Sequence, residues 1–335
     1  MNHLDILLPF AIPPAPLAPD LVRELKVPAL ALLVSRAKAV STHQFEEFSR
    51  QLPHEALLSG QVAGAGSLQE FAASSPADTH DKMQALGVQA APGHWFTLSP
   101  VHIHIARDHL VLTDQRRLEI REDEARALFT SAQTACDEAG KTLVYGDATT
   151  WFLQADDWAG MQTATPDAAC GHNIDIWMAK GASERPWRKL QNEIQMLWFT
   201  DKVNAEREMQ GLRPINSVWL WGGSSRALGQ RQIRSADAGL ASALAGSAEN
   251  KLLLLDQLIE PALNQDWAAW LDQAHALEAS WFAPVLAALQ GGKLDRLNLN
   301  VSDAATLACF TVTPWSLRKF WIKPSLKPLT SIGTS

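Results

Sequence analysis

The spacing of apolar and polar residues along the chain predicts strands and helices in close succession. "LDILLPF" (4–10) reads as a first strand, and Pro13, Pro14 and Pro16 predict an extended loop behind it. Apolar positions at helical spacing follow in "LVRELKVPALALLVSRA" and in "HQFEEFSRQL". In "SPVHIHIARDHLVLTD" Val101, Ile103 and Ile105 alternate with His102 and His104 before a short polar turn, the pattern of a β-hairpin. "EDEARALFTSAQTACDEAG" puts Ala125, Leu128, Phe129, Ala132 and Cys136 on one helical face, with acidic residues at its start and Gly140 at its close. "KTLVYG" and "TWFLQ" read as short strands, and "IDIWM" as a strand after a turn-rich stretch.

A helix is predicted from Ser183, with Pro186 tolerated in its first turn and a stripe of Trp187, Leu190, Ile194, Leu197 and Trp198. It runs toward Gly211 and feeds the strand "INSVWLWGG". The last third repeats this grammar. "NKLLLLD" is a buried strand, and Trp267, Trp270, Leu271, Ala274, Leu277, Trp281, Val285 and Leu289 form a long stripe that Pro284 should kink or break. "DRLNLNVSD" is another strand, and "ATLACFTV" and "SLRKFWI" are expected to pair near an edge. Strands alternating with helices predict an α/β fold, a mainly parallel sheet flanked by helices with the hairpin added. Residues 1–330 read as a single compound α/β domain, with a loop-rich segment at 60–93 and a flexible tail at 331–335.

Composition narrows the function classes. A formal net charge of −7 argues against a nucleic-acid binder, although the tail "LRKFWIKPSLKP" is locally basic and leaves room for an anion site. No apolar run reaches the length of a membrane span, so no membrane partner is expected. Three cysteines without a CxxC pair suit a reducing compartment, and no basic leader precedes the early prolines; the cytoplasm is the expected location. Thirteen tryptophans stand against one tyrosine. Core packing is the reading for most of them, and a surface cluster around Trp315 and Trp321 would instead mark a groove for a protein partner.

The most promising chemistry lies in "WLWGGSSR". Gly222 and Gly223 would let backbone N–H groups approach an anion, Ser224 and Ser225 add hydroxyls, and Arg226 adds charge. A tight glycine turn after a buried strand is the plainer alternative. Glu193 and Asn204, on the helical stretch before this strand, could line the same cleft, though such faces are commonly just solvated. Asp167, His172 and Asp175 in "TATPDAACGHNIDIW" are ligand types for a divalent metal, but their spacing fits no zinc motif and turn capping explains them as well. His80 and Asp81, in "THDKM", fall in a region without clear structure. Walker, GxSxG and GxGxxG patterns are absent.

The run "NEIQMLWFTDKVNAEREMQGLRPINSVWLWGGSS", with "PVHIHIARDHLVLTD" and "TATPDAACGHNIDIW" upstream, resembles the proteobacterial RpfE-type regulatory protein family, whose members are described as phosphoglycerate-mutase-like. More distantly, "VNAERE" followed by "VWLWGG" is similar to a segment of archaeal-type cofactor-independent phosphoglycerate mutases of the alkaline-phosphatase-like superfamily. That resemblance implies an alkaline-phosphatase-like core, and for the enzymes a serine nucleophile beside two divalent metals held by Asp and His. Here the first strand runs into "LLPFAIPPAP", with prolines where a metal-binding Asp would stand, and the last third has His275 as its one histidine. Phosphoryl transfer without its metals loses most of its electrostatic stabilisation. The expectation is therefore a non-catalytic regulatory or ligand-binding protein taking a phosphorylated or anionic small molecule, or a protein partner. The alternative is a divergent metal-dependent phosphomutase or phosphatase, the one case that needs a divalent metal.

Overall fold

The first strand is apolar because strands bury it on both sides: Ile6 and Leu7 have no solvent exposure. In this computed structural model, residues 2–60, 73–227, 232–234 and 251–332 are described. Residues 61–72 of the expected loop-rich segment and 333–335 of the expected tail lie outside them. The strands in chain order are β1 (His3–Leu8), β2 (Ala39–Gln44), β3 (Trp95–Val101), β4 (Ile103–Ala106), β5 (His109–Leu112) and β6 (Thr142–Tyr145). They continue with β7 (Trp151–Gln154), β8 (Ser217–Ser224), β9 (Gln232–Arg234), β10 (Lys251–Leu254), β11 (Arg296–Ser302) and β12 (Thr306–Val312). Contacts divide the chain into two compact units, one made of 1–47 with 231–335 and the other of 48–230.

The first unit holds a six-stranded sheet in the order β2-β12-β11-β1-β10-β9. β1 runs parallel to β10 and β11, and β10 parallel to β9, while β12 and β2 close one edge antiparallel. The connection from β10 to β11 carries the helix Trp267–Leu277, a π-helical segment Glu278–Phe282 and the helix Ala283–Gln290. The stripe breaks just before Pro284, which takes a first-turn position of the last helix, where its missing N–H costs nothing. Within the π segment the buried Glu278 carboxylate accepts the Ala29 and Leu30 N–H groups at 2.6 and 3.1 Å. It thereby satisfies two open donors at the start of the helix Pro28–Ser35.

The second unit is built on an antiparallel sheet in the order β6-β7-β3-β8. Helices Glu122–Glu138 and Glu184–Phe199 contribute Leu128, Ala132, Trp187, Ile194 and Trp198 to one core with Phe96, Leu98, Trp151, Leu153, Val218 and Leu220 of the sheet. The Trp198 indole N–H donates to the Leu128 carbonyl and Ser131 hydroxyl, at 3.1 and 3.0 Å. Nearby, Arg207 and Glu124 form an ion pair at 2.7 Å with both side chains under 5% exposed. β4 and β5 pair antiparallel through Arg107 and Asp108, with Arg107 at φ 59°.

The structure differs from the sequence-based expectations in four places. The sheets are mixed and antiparallel rather than mainly parallel: every pairing in the four-stranded sheet of 48–230 is antiparallel, β6 with β7 as a short hairpin and β3 with β7 and β8 across connections that carry helices. No helix forms over "HQFEEFSRQL" (43–52): His43 and Gln44 end the edge strand β2, whose side chains are mostly exposed, so no alternation marks it. "IDIWM" and "SLRKFWI" are not strands: Ile174–Ile176 and Ser316–Arg318 are single 3-10 turns. The predicted helix toward Gly211 is two helices, the second being Lys202–Met209, which Asp201 caps by accepting the Val203 N–H at 2.9 Å.

Candidate functional site

Strand β8 ends in the two residues that gather the chemistry. Its register against β3 shifts between Trp95 and Thr97, so two residues, Gly222 and Gly223, face Phe96 across a bulge. Gly222 sits at φ 73°, its N–H donates to Ser75 Oγ at 2.8 Å, and its carbonyl accepts from Thr79 Oγ1 at 2.7 Å. A Cβ on Gly222 would lie 2.8 Å from Thr79 Oγ1, and one on Gly223 would lie 2.5 Å from a Phe96 ring carbon and 2.8 Å from His94 Nε2. Close packing alone therefore requires both glycines, and the Gly222 amide already has its partner.

The bulge turns Ser224 and Ser225 toward two histidines. His80, in the helix Thr79–Ala85, donates its backbone N–H to Ser224 Oγ at 3.1 Å, and its Nδ1 lies 2.7 Å from the same oxygen. A hydroxyl has one proton and two lone pairs, so Ser224 can accept from the amide and donate to Nδ1, leaving the ring proton on Nε2. His94 Nδ1 lies 2.8 Å from Ser225 Oγ. The His94 backbone N–H donates to Asp156 Oδ1 at 2.5 Å, and its ring meets Phe96 edge-on at 4.8 Å.

Desolvation lowers both imidazole pKa values, opposed at His80 by Asp81 and at His94 by Asp156, while the two rings disfavour one another's charge at His94. Both rings are therefore neutral near pH 7, each with one donor and one acceptor. Ser224 is buried, whereas Ser225 and Arg226 are exposed. Among the described residues no carboxylate hydrogen-bonds the second ring nitrogen of His80 or His94. The cluster thus has two imidazole–hydroxyl pairs but lacks the orienting acid of a catalytic triad.

No family model matches the chain, and no curated protein does. Solved structures do. The chain is similar to the cofactor-independent phosphoglycerate mutase from Thermoplasma acidophilum DSM 1728, 11% identical over 98% of this chain and 94% of that one, with TM-score 0.43. It is also similar to the PH0037 protein from Pyrococcus horikoshii, 8% identical over 93% of this chain and 87% of that one, with TM-score 0.48. Likeness at this level bears on neither the activity nor the ligand.

A second polar group lies deeper in the same unit. His54, Glu55 and Asp167 bring one ligand atom each to within 4.8 Å of one another. Glu55 Oε2 accepts from the Leu52 N–H at 2.7 Å and from the Thr165 hydroxyl at 2.8 Å. Burial, and then the Asp167 charge, push the Glu55 pKa up to about 8 against those hydrogen bonds. Burial, and then the Arg116 charge, push that of His54 down to about 3. Arg116 forks onto both oxygens of Asp167 at 2.5 and 3.0 Å and reaches the buried Asp114 at 2.8 Å. One nitrogen and two carboxylates are ligand types for zinc, but the guanidinium already occupies Asp167 and would repel a dication. The donor types fit a metal and the charge does not.

The remaining sequence candidates fall elsewhere. Asn204 is buried at the opposite end of β8, donating to the Trp198 and Ile215 carbonyls and accepting the Ile215 N–H. Its role is to tie two helices to the strand. Glu193 pairs with Lys189 at 3.6 Å and lines a cavity of about 330 Å³ with Lys141, Asp157 and Trp158. His172 stacks on Trp177 at 5.1 Å, and neither it nor Asp175 joins the His54–Glu55–Asp167 group. His102 and His104 do share a face, their rings stacked at 5.8 Å, and each Nδ1 bonds locally, to the Pro214 carbonyl and the Thr113 hydroxyl. His80, His94 and Asp156 carry no motif among themselves; the bulge that brings them together has one sequence sign, the paired glycines.

Proposed function

We propose that this chain is a non-catalytic ligand-binding protein on a phosphoglycerate-mutase-like α/β scaffold, taking a phosphorylated or carboxylated small molecule at the end of β8. The observation that carries this reading is the pairing of consecutive serines with two neutral histidines beside the exposed Arg226. Neutral imidazoles and hydroxyls supply oriented donors, and the guanidinium supplies charge and a forked geometry for an oxyanion. The missing acid behind either histidine favours binding over nucleophilic attack. The RpfE-type sequence resemblance supports a regulatory use of that binding.

Calorimetric titration of 3-phosphoglycerate and inorganic phosphate tests the site. Binding that Ser225→Ala or Arg226→Ala weakens about ten-fold supports it. Binding indifferent to both substitutions sinks it. Metal-dependent phosphoryl transfer is the competing reading, and the Arg116 guanidinium on Asp167 counts against it at His54, Glu55 and Asp167. Stoichiometric metal in purified protein, with turnover lost in His54→Ala, would establish that reading against the first.

A further inference from the structure

The basic tail has a destination in the first unit. No Asp or Glu follows Asp303, while Arg318, Lys319, Lys323 and Lys327 do, in a protein of net charge −7. The tail helps to enclose a cavity of about 870 Å³ lined by His3, Asp5, Lys38, Arg296, Trp315 and Lys319, among others. β1 and β11 begin here and β12 stops here, so the cavity lies at the amino ends of the parallel strands. Parallel sheets commonly bind ligands at the other end, and this cavity owes nothing to that rule. Its volume lies within the range of small-molecule sites.

Its charges are not balanced alike. Asp5 accepts from the Asn298 amide at 2.8 Å, and Asp295 accepts the Asn2 N–H at 2.8 Å, so both acids are held by neutral donors. Among the described residues no carboxylate forms an ion pair with Lys38, Arg296 or Lys319. Lys319 Nζ donates to the Ala37 carbonyl at 2.9 Å, which fixes its ammonium group at the rim.

Of the thirteen tryptophans nine are buried, which leaves the exposed ones to be explained. Trp315 is 75% exposed, yet the Arg318 guanidinium covers one face of its ring 4.2 Å from the centroid. The ring is steadied from one side and lines the cavity beside three cations. An indole so placed is a stacking platform.

We propose that this cavity binds a nucleotide, the planar base stacking on Trp315 and the phosphate held by Lys38, Arg296 and Lys319. The site is separate from the β8 cluster and does not depend on the reading given to it. Adenosine 5′-monophosphate, adenosine and inorganic phosphate, each titrated calorimetrically into the full chain, test it. The monophosphate should bind about ten-fold more tightly than either fragment, because base and phosphate contacts act together. Lys38→Ala and Arg296→Ala should each weaken it about five-fold and reduce its salt dependence. Trp315→Ala should bring it down to the affinity of phosphate.

All three side chains are exposed, so these variants should melt like the parent. Ser225→Ala should leave this binding unchanged, which separates it from the β8 cluster. The proposal is overturned if adenosine, guanosine, cytidine and uridine monophosphates all fail to bind at roughly 2 mM. It is equally overturned if phosphate binds as tightly as the monophosphates, or if binding follows Ser225→Ala and ignores Lys38→Ala. A single-stranded oligonucleotide that outcompetes the free monophosphate about a hundred-fold would replace the small ligand with a polymer.

Discussion

The two histidine clusters of the 48–230 unit use similar residues and end in opposite states. Around His54, every charge is answered from within: Arg116 serves Asp114 and Asp167, and Glu55 is held by an amide and a hydroxyl. Around His80 and His94, the ring partners are neutral hydroxyls, one serine faces solvent, and Arg226 makes no ion pair with a described residue. The first cluster looks more like a metal site on residue types alone. The second has unspent hydrogen-bonding capacity. Ligand-type residues make a site only where their valences are left open, and a guanidinium fork closes them as surely as burial does.

Arg116→Ala should break this contrast most severely. It strands the Asp114 and Asp167 carboxylates, and chemical denaturation should show a loss of about 2–4 kcal/mol. A loss under about 0.5 kcal/mol would mean that the inner cluster is not charge-locked. Gly223→Ala comes next, at about 2–3 kcal/mol, since the new methyl must displace the Phe96 and His94 rings. It should abolish binding at Ser225 by moving His94, so a bulky residue at Gly223 tests packing before it tests ligand contact.

The inner cluster also predicts a pH profile. His54, with its pKa lowered from 6.5 to about 3, makes stability fall as pH drops through that window, because the unfolded chain binds the proton first. Glu55, raised from 4.5 to about 8, does the reverse: the native state keeps its proton, and stability falls as pH rises through 4.5 to 8. The slopes oppose one another between 4.5 and 6.5, which gives a plateau, and Glu55 acts alone above it. Thermal melts of Glu55→Gln should lose the decline above pH 6.5, a slope of at most about 1.4 kcal/mol per pH unit. An unchanged decline would place its origin elsewhere. Ser225→Ala is the smallest effect, within about 0.5 kcal/mol of the parent in stability while ligand affinity drops. A large stability loss there would make the outer cluster structural, like the inner one.

Much of the fold was legible where burial enforces a period. β1, β7, β8, β10 and β11 are runs whose apolar residues must face a core, and the helix from Glu184 shows its stripe plainly. Pairing direction was not legible, because a short apolar strand has the same pattern in parallel and antiparallel sheets. The edge strand β2 carries no burial signal. At the proposed site, the sequence points to Ser224, Ser225 and Arg226 through the glycine pair before them, and the contacts those serines make with His80 and His94 have no sequence sign. His80 and His94 lie over 130 residues before their serines, as the 144- and 131-residue separations of the two pairs show; β3 pairing with β8 brings His94 to its serine, and the helix Thr79–Ala85, bonded to the Gly222 carbonyl, brings His80. Asn204 and Glu193 stand out in the sequence only as polar residues on helices, and polarity alone does not separate a structural tie from a ligand contact.

The contact between Glu278 and the Ala29 amide spans 249 residues, and the Asn300 amide reaches the Ile6 carbonyl across 294. On a ribosome β1 therefore emerges long before the strands that flank it. At usual rates of synthesis that interval is on the order of tens of seconds. Residues 48–230 form a continuous unit that can assemble meanwhile, whereas β1 must wait, apolar and unpaired, for β10 and β11. A nascent chain halted before β10 should consequently be the stage most dependent on chaperones, and proteolysis of such stalled chains would find the middle of the protein protected before its beginning.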